Sequence, residues 1–274
     1  MKRIMTIQDV SCVGKCSLTV ALPIISCAGV EAAVLPTAVL STHTAFDKFT
    51  FCDLTDEIEP IKNTLCELGI DFDAIYTGYL GSFRQLELVN SFMDAFSGKV
   101  IIDPVMADNG CLYKGFTPEF AKKMAELCSR ADLIIPNLTE ASFMLDIPYT
   151  PDYDEDYIRD VLKRLTDLGA KTAALTGIGF KDEEIGVYAY DSESGEYYKY
   201  FNDRLPCAFH GTGDIYASST VGAMMRGFTT FESLRIAVDF TLECMRCTMN
   251  DPNHRFYGVN FEEALPYYIS LLSK

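Results

Sequence analysis

A chain of 274 residues that is 49% hydrophobic can bury one sizeable α/β core or two small ones, and a single domain over 1–274 is the simpler expectation. Its 39 acidic against 23 basic side chains leave a net charge of −16, which argues against a surface made for nucleic acid or an anionic membrane. The ten cysteines are scattered, nothing before Met5 resembles a secretory signal, and the apolar region from Leu18 to Leu35 is broken by Pro23, Gly29 and Glu31; the expectation is a soluble protein with free thiols in a reducing cytoplasm, with no membrane span.

Short β-like runs alternate with segments of 3.6-residue apolar spacing. In chain order the spacing predicts strands over 3–8 and 33–40, a helix over 55–69, a strand over 74–79, a helix over 83–98 and a strand over 100–103. Next come a helix over 118–130, a strand over 133–136, a helix over 154–169 and a strand over 171–176. Three of those four helices end at a glycine, as left-handed C-terminal capping predicts. Two runs, 185–190 and 197–201, flank the turn-rich Asp191-Ser192-Glu193-Ser194-Gly195-Glu196 and predict an antiparallel hairpin. Residues 216–225 are small or apolar on every side and predict a buried helix, and 230–250 and 260–272 close the chain as helices. The repeated βαβ punctuation predicts an α/β fold: a mostly parallel central sheet with helices on both faces, three layers deep.

The polar residues sit at one kind of place. Gln8-Asp9, Thr42-His43-Thr44, Thr77-Gly78-Tyr79, Asp103-Pro104, Asn137 and Thr176-Gly177 each end a predicted strand, and parallel strands put those ends on the rim where open α/β sheets bind ligands. Gly211-Thr212-Gly213-Asp214 then runs straight into the buried helix. Glycines at a helix N-terminus let an anion approach unpaired backbone N–H groups, and the adjacent carboxylate is positioned to take a proton from an attacking hydroxyl; a tight turn capped by Asp fits the same four residues.

Asp103 and Asp108 in Asp103-Pro104-Val105-Met106-Ala107-Asp108 suit Mg²⁺, which prefers one or two carboxylates plus water and phosphate oxygens, although Asp-Pro is also ordinary turn chemistry. Asn137 and Thr139 are candidate helix caps, and Glu140 is a candidate support for a hydrated metal. His43 either meets an aromatic substrate or bonds to its own loop, His210 shapes the glycine turn, and His254 faces solvent. Gly14-Lys15-Cys16-Ser17 lacks the first glycine of a Walker loop, no G-x-G-x-x-G follows the first strand, and Cys244-x-x-Cys247 has no second pair at zinc spacing.

These segments together resemble the pyridoxal (pyridoxine, pyridoxamine) kinases of the ribokinase-like superfamily. The likeness is carried by Ile7-Gln8 with Gly14, Ser41-Thr42-His43-Thr44, Thr77-Gly78-Tyr79-Leu80-Gly81-Ser82, Asp103-Pro104-Val105-Met106, Pro136-Asn137 with Glu140-Ala141, and Gly211-Thr212-Gly213-Asp214. The resemblance implies ATP-dependent phosphorylation of the 5′-hydroxymethyl group of a vitamin B6 vitamer, with Mg²⁺, a monovalent cation such as K⁺, and a homodimer. It implies Asp214 as base, Gly211, Thr212 and Gly213 as the anion hole, and Asp9, His43, Thr44 and Tyr79 at the vitamer. It also implies Asp103, Asn137 and Thr176 at the ATP phosphates, and Asp103, Asp108 and Glu140 around the metal. Rival readings are a hydroxymethylpyrimidine or sugar/nucleoside kinase on the same fold, and a silent B6-binding protein. The adenine pocket is expected within 228–250. Two features define further expectations. Asp9 stands where many such kinases have Ser, with Val13 in place of their Tyr, so its charge is expected to favour the amine vitamer pyridoxamine. The helix N-terminus is expected to lower the pKa of Asp214.

Overall fold

The computed structural model describes residues 1–273. In chain order these form β1 (Arg3–Ser11), α1 (Leu18–Cys27), β2 (Glu31–Leu40), β3 (Phe51–Asp53), α2 (Thr55–Glu67), β4 (Ala74–Thr77), α3 (Phe83–Ala95), β5 (Lys99–Ile102), β6 (Ala107–Asp108) and β7 (Cys111–Leu112). They continue with α4 (Pro118–Cys128), β8 (Leu133–Ile134), α5 (Leu138–Leu145), α6 (Glu155–Asp167), β9 (Thr172–Ile178), β10 (Glu184–Asp191), β11 (Tyr197–Asp203), α7 (Thr212–Met225), α8 (Thr230–Asn250) and α9 (Phe261–Leu271).

Nine strands make one sheet in the order β11-β10-β9-β8-β5-β4-β1-β2-β3. The six from β9 to β2 run parallel, while β3 at one edge and the β10–β11 hairpin at the other are antiparallel. Side chains alternate across this sheet, as the two-residue period requires. Met5, Ile7, Ile75, Ile102, Ile134 and Leu175 pack into a core with Ile58 of α2, Leu86 of α3, Phe120 of α4, Leu138 of α5 and Ile158 of α6. Ile4, Tyr76, Ile101, Leu133 and Ala174 pack into a second core with Ile24 of α1, Ile215 of α7, Phe240 of α8 and Phe261 of α9. Two cores on two faces are the expected three layers, with both faces of the parallel strands covered.

The helices begin where side chains cap them. Ser82, Thr117, Asp154 and Thr229 each accept a hydrogen bond from the backbone N–H three residues on, an interaction worth about 1 kcal/mol per helix. Helix α7 is buried from Ile215 through Ala223, as its composition predicts.

Six elements depart from the periodicity-based expectations. Helix α1 carries Pro23 and is apolar on nearly all sides, so although Leu22 and Ser26 face outward, its buried face against the sheet and α7 leaves no amphipathic stripe in the sequence. Helix α5 is eight residues long with six of them buried, too short for periodicity to register. Strand β3 is three exposed residues that pair with the edge of β2, and β6–β7 is a two-residue ribbon; both exist through pairing rather than pattern. Helix α3 also stops at Ala95, short of the glycine stop at 98, where Phe96 turns extended.

Strand β1 lies between β4 and β2. The chain leaves β1 toward β2 and later returns to β4 on the other side, so the loops after β1 and β4 diverge at a topological switch point.

Candidate active site

A cleft of about 530 Å³ opens along the carboxyl ends of the parallel strands. Its floor holds Asp103 from the end of β5, Asn137 and Glu140 from the start of α5, Thr176 and Gly177 from β9, and the whole turn Gly211-Thr212-Gly213-Asp214. Asp108 of β6 and Tyr113 close one side, residues 202–210 another, and Val238, Thr241, Leu242 and Met245 of α8 form an apolar wall within the 228–250 stretch named for adenine. Residues far apart in sequence thus meet because their strands share one direction.

The glycine turn is built for close approach. Gly211 is the N-cap of α7 with φ 82°, and a Cβ there would collide with the carbonyl oxygen of Lys15, so both backbone conformation and space demand glycine. A Cβ added at Gly213 would meet nothing within 4 Å. That empty side leaves room for an anion against the unpaired N–H groups of the first turn.

Asp214 follows in the same turn. The helix N-terminus favours its charged form, but burial outweighs that field and pushes its carboxyl up to about 7, with the nearby Asp9 adding to the rise and a hydrogen bond from the Ser17 backbone N–H opposing it. The expected lowering is therefore reversed. Taking the carboxyl out of water costs more than a helix end returns at this position. A carboxylate titrating near 7 is also a better general base at neutral pH than an ordinary aspartate.

Three further acids share the cleft. Asp103 is nearly buried, no donor bonds its carboxyl among the described residues, and burial with Glu140 and Asp214 nearby holds its pKa well above the usual carboxylate range. Glu140 is raised by burial too, although the backbone N–H groups of Met106 (3.1 Å) and Asn137 (2.9 Å) donate to its two oxygens. Asn137 answers by accepting from Glu140 N at 2.9 Å, a reciprocal capping box that starts α5, while its Nδ2 donates to Ala107 O at 2.8 Å. Thr139 does not cap; its hydroxyl accepts from Gly110 N at 3.0 Å. Asp108 is exposed, with both oxygens accepting from Asn109. Among the described residues no three His, Cys, Asp or Glu side chains converge into a ready metal site, so Asp103, Asp108 and Glu140 line one cleft without forming a cage.

The residues expected at the vitamer lie on the neighbouring loops, outside the lining of this cleft. Asp9, 6% exposed near the end of β1, accepts from Ser17 Oγ at 2.6 Å, and burial raises its pKa. His43 accepts from Ala45 N at its Nδ1 (3.0 Å), a bond within its own loop that leaves the other ring nitrogen unused; its ring also stands 5.3 Å from that of His210 in the cleft wall. Burial first and His210 second lower its pKa, which keeps it neutral with Nε2 left to donate. Tyr79, raised by burial and by Asp9, packs at 5.6 Å from the Phe116 ring, and Thr44 is exposed in the loop beyond β2. His254 is exposed as expected.

Sequence reasoning missed three groups. Arg204 is the single Lys or Arg lining the cleft among the described residues, and it has no ion-pair partner there, but nothing in Asp203-Arg204-Leu205 marks it in sequence. Tyr113 lies beside the acids, its pKa pushed up by burial and then by Glu140 and Asp108. Ser17 was passed over inside a failed Walker match, yet its hydroxyl donates to Asp9.

The sequence profile of the phosphomethylpyrimidine kinase family matches residues 25–260. A Bacteroides thetaiotaomicron protein provisionally named phosphomethylpyrimidine kinase, crystallised with pyridoxal, is 38% identical with a TM-score of 0.92, the match covering 97% of this chain and 95% of that one. Pyridoxal kinase from Lactobacillus plantarum is 27% identical with a TM-score of 0.92, covering 99% and 98% of the two chains. Pyridoxine kinase of Bacillus subtilis is 28% identical over 217 residues, which is 77% of this chain and 76% of its own length. With that profile spanning most of the chain and the three-layer fold in place, the chain belongs to the phosphomethylpyrimidine kinase family, within the ribokinase-like superfamily that also holds the pyridoxal kinases.

Proposed function

We propose that this chain is a kinase that moves the terminal phosphoryl group of ATP to the 5′-hydroxymethyl group of a B6 vitamer (pyridoxal, pyridoxine or pyridoxamine), releasing the 5′-phosphate and ADP. The single observation that carries the reading is the raised carboxyl of Asp214 beside the open Gly213 turn, in a cleft whose other walls are apolar on α8 and acidic on β5 and α5. The relatives named pyridoxine and pyridoxal kinase, and the neighbour holding pyridoxal, support the substrate class.

The chain's own residues then act as follows. The N–H groups of the first turn of α7 offset charge that develops on the transferred phosphoryl oxygens, because they are aimed and desolvated before the reaction starts. Asp214 accepts the proton of the vitamer hydroxyl, with the late proton movement of phosphoryl transfer keeping the demand on its basicity modest. Neutral His43, Thr44, Tyr79 and Asp9 hold and orient the ring. Asn137 and Thr176 meet the ATP phosphates and the α8 wall takes the adenine, which makes the whole chain one kinase domain.

A nearly buried Asp103 with no donor and two acids beside it fits a site that also takes a cation. Asp103 and Glu140, with Asp108 at the rim, would hold Mg²⁺, which supplies charge neutralisation of the phosphates when bound. A monovalent cation, a homodimer and a cytoplasmic location extend the same reading. The direct test is purified protein with Mg-ATP and each vitamer in turn, plus hydroxymethylpyrimidine because the family profile carries that name, with 5′-phosphorylated product as the readout. Product from a B6 vitamer is expected. Turnover of hydroxymethylpyrimidine alone would move the assignment to that substrate, and binding without product would make the chain a B6-binding protein.

A further inference from the structure

The lysine of Gly14-Lys15-Cys16-Ser17 does not act as a Walker lysine does. It lies outside the cleft lining, and its Nζ donates to Glu262 Oε2 at 2.8 Å and to Asn260 Oδ1 at 3.3 Å, at the start of α9. Asn260 is oriented for this contact: its Nδ2 donates to Asp251 Oδ2 at 2.9 Å and its backbone N–H to Thr248 Oγ1 at 2.8 Å, both at the end of α8, which leaves Oδ1 for the ammonium. A helix N-terminus repels a cation, so these acceptors are what hold the ammonium there. Only 17% of the Lys15 side chain is exposed, so packing has ordered its stem before the ion pair forms, unlike a pair of free surface chains.

Lys15 is wedged between two glycines. Its carbonyl oxygen abuts Gly211 of the anion turn, and its stem crosses Gly258, where an added Cβ would collide with Lys15 Cβ and stand 3.2 and 3.3 Å from its Cγ and Cδ. The rest of the loop is fastened elsewhere. Val13 N donates to Ser41 O at 3.3 Å and His43 N to Val13 O at 2.8 Å, which ties the vitamer side of the loop to the segment after β2. Thr19 Oγ1 bonds to Gly14 O at 3.0 Å and Cys16 O at 2.7 Å. Removing the ammonium therefore leaves the loop folded and releases its tie to α9.

We infer that Lys15 is a positioning residue for the anion turn: anchored on Asn260 and Glu262, it holds its own carbonyl against Gly211 and so fixes the first turn of α7 where the N–H groups meet the transferred phosphoryl group. The inference rests on the glycine turn being the phosphate site, and the lysine itself touches neither substrate.

Lys15→Met keeps most of the stem and loses the charge. It should lower kcat/KM for ATP about tenfold, the effect of a small misplacement of the turn, with KM for the vitamer within about twofold. Lys15→Arg, which can still reach both acceptors as a cation, should recover part of the loss. Glu262 is 53% exposed and lies outside the cleft lining, so Glu262→Ala tests the anchor without touching the loop; kcat/KM for ATP should fall about threefold. The double variant Lys15→Met/Glu262→Ala should be no slower than Lys15→Met, since both remove one support. Lys171→Met, which breaks a comparable pair with Asp132 (2.7 Å) at the opposite end of the sheet, should leave the kinetic constants unchanged. A lysine that met ATP directly would be freed by Glu262→Ala, so an unchanged or lower KM for ATP with unchanged kcat in that variant would overturn the inference. Losses that multiply in the double variant, or an equal rise in KM for the vitamer, would overturn it too. If the wild type phosphorylates none of the vitamers, the functional reading fails by itself, and a crystal structure of Lys15→Met still decides the strut: residues 14–16 drawn away from Gly211 uphold it, and an unmoved backbone overturns it.

Discussion

Replacing Asp214 by Asn should slow the enzyme and stabilise the protein, and the second effect should depend on pH. The carboxyl titrates near 7 in the folded chain against an ordinary value of 3.8, because burial disfavours its charge. Folding therefore gains from this group below about pH 4, where both states hold the proton, and loses that gain as pH rises through 7, where the folded protein must bury the charge. The gap corresponds to an upper bound of about 4 kcal/mol at pH 8.5. Asn keeps the shape and carries no charge. For a domain of this size such an amount raises Tm by about 5–8 °C. Thermal unfolding of wild type and Asp214→Asn, followed by circular dichroism at pH 4, 5.5 and 8.5, should show curves that lie close at pH 4, separate as pH rises between the two pKa values and change little above about 7. The same variant should lose about 10²–10⁴-fold in kcat with ATP affinity nearly unchanged, as removal of a general base does. A Tm difference of equal size at all three pH values, or none at 8.5, would refute the claim that a desolvated ionised carboxylate is held there at the protein's expense. Retained turnover would refute its role as base.

Gly211→Ala meets both a positive φ and the Lys15 carbonyl, so it should cost more than 1 kcal/mol in urea unfolding and raise KM for ATP as the anion turn shifts. Arg204→Gln removes the one basic side chain lining the cleft among the described residues; steady-state kinetics should show KM for ATP several-fold higher with kcat little changed, and an unaltered KM would place the guanidinium away from the phosphates. Asp9→Ser should shift the ratio of kcat/KM for pyridoxamine over pyridoxal downward if the Asp9 charge selects the amine; an equal change for both vitamers would refute selection by that charge.

Much of this was legible before any coordinates. Helix α8 matches the predicted 230–250 residue for residue, and the hairpin and the six parallel strands fall where alternation and turn chemistry put them, because those segments declare their environment locally. Helix α1 and β3 were not legible: one is apolar on every side and the other is exposed throughout, so neither carries a period. The rim residues could be named individually, since each follows a strand. Their grouping came only with the family resemblance, and the folded chain divides them along the same line: Asp103, Glu140, Asn137, Thr176 and the glycine turn share the cleft, whereas Asp9, His43, Thr44 and Tyr79 stand on adjoining loops.

The pattern of apolar spacing and strand-end polar residues was enough to point to a three-layer α/β fold and to the rim along which its cleft opens. Ionisation was decided only by the folded chain. A helix end acts on its first turn and can be read from sequence, but desolvation depends on what other segments bring, and here they crowd the half-buried Asp214 enough to reverse its expected shift. The bond from Ser17 to Asp9 likewise needs strand β1 and the start of helix α1 to meet, and that meeting arises only in three dimensions.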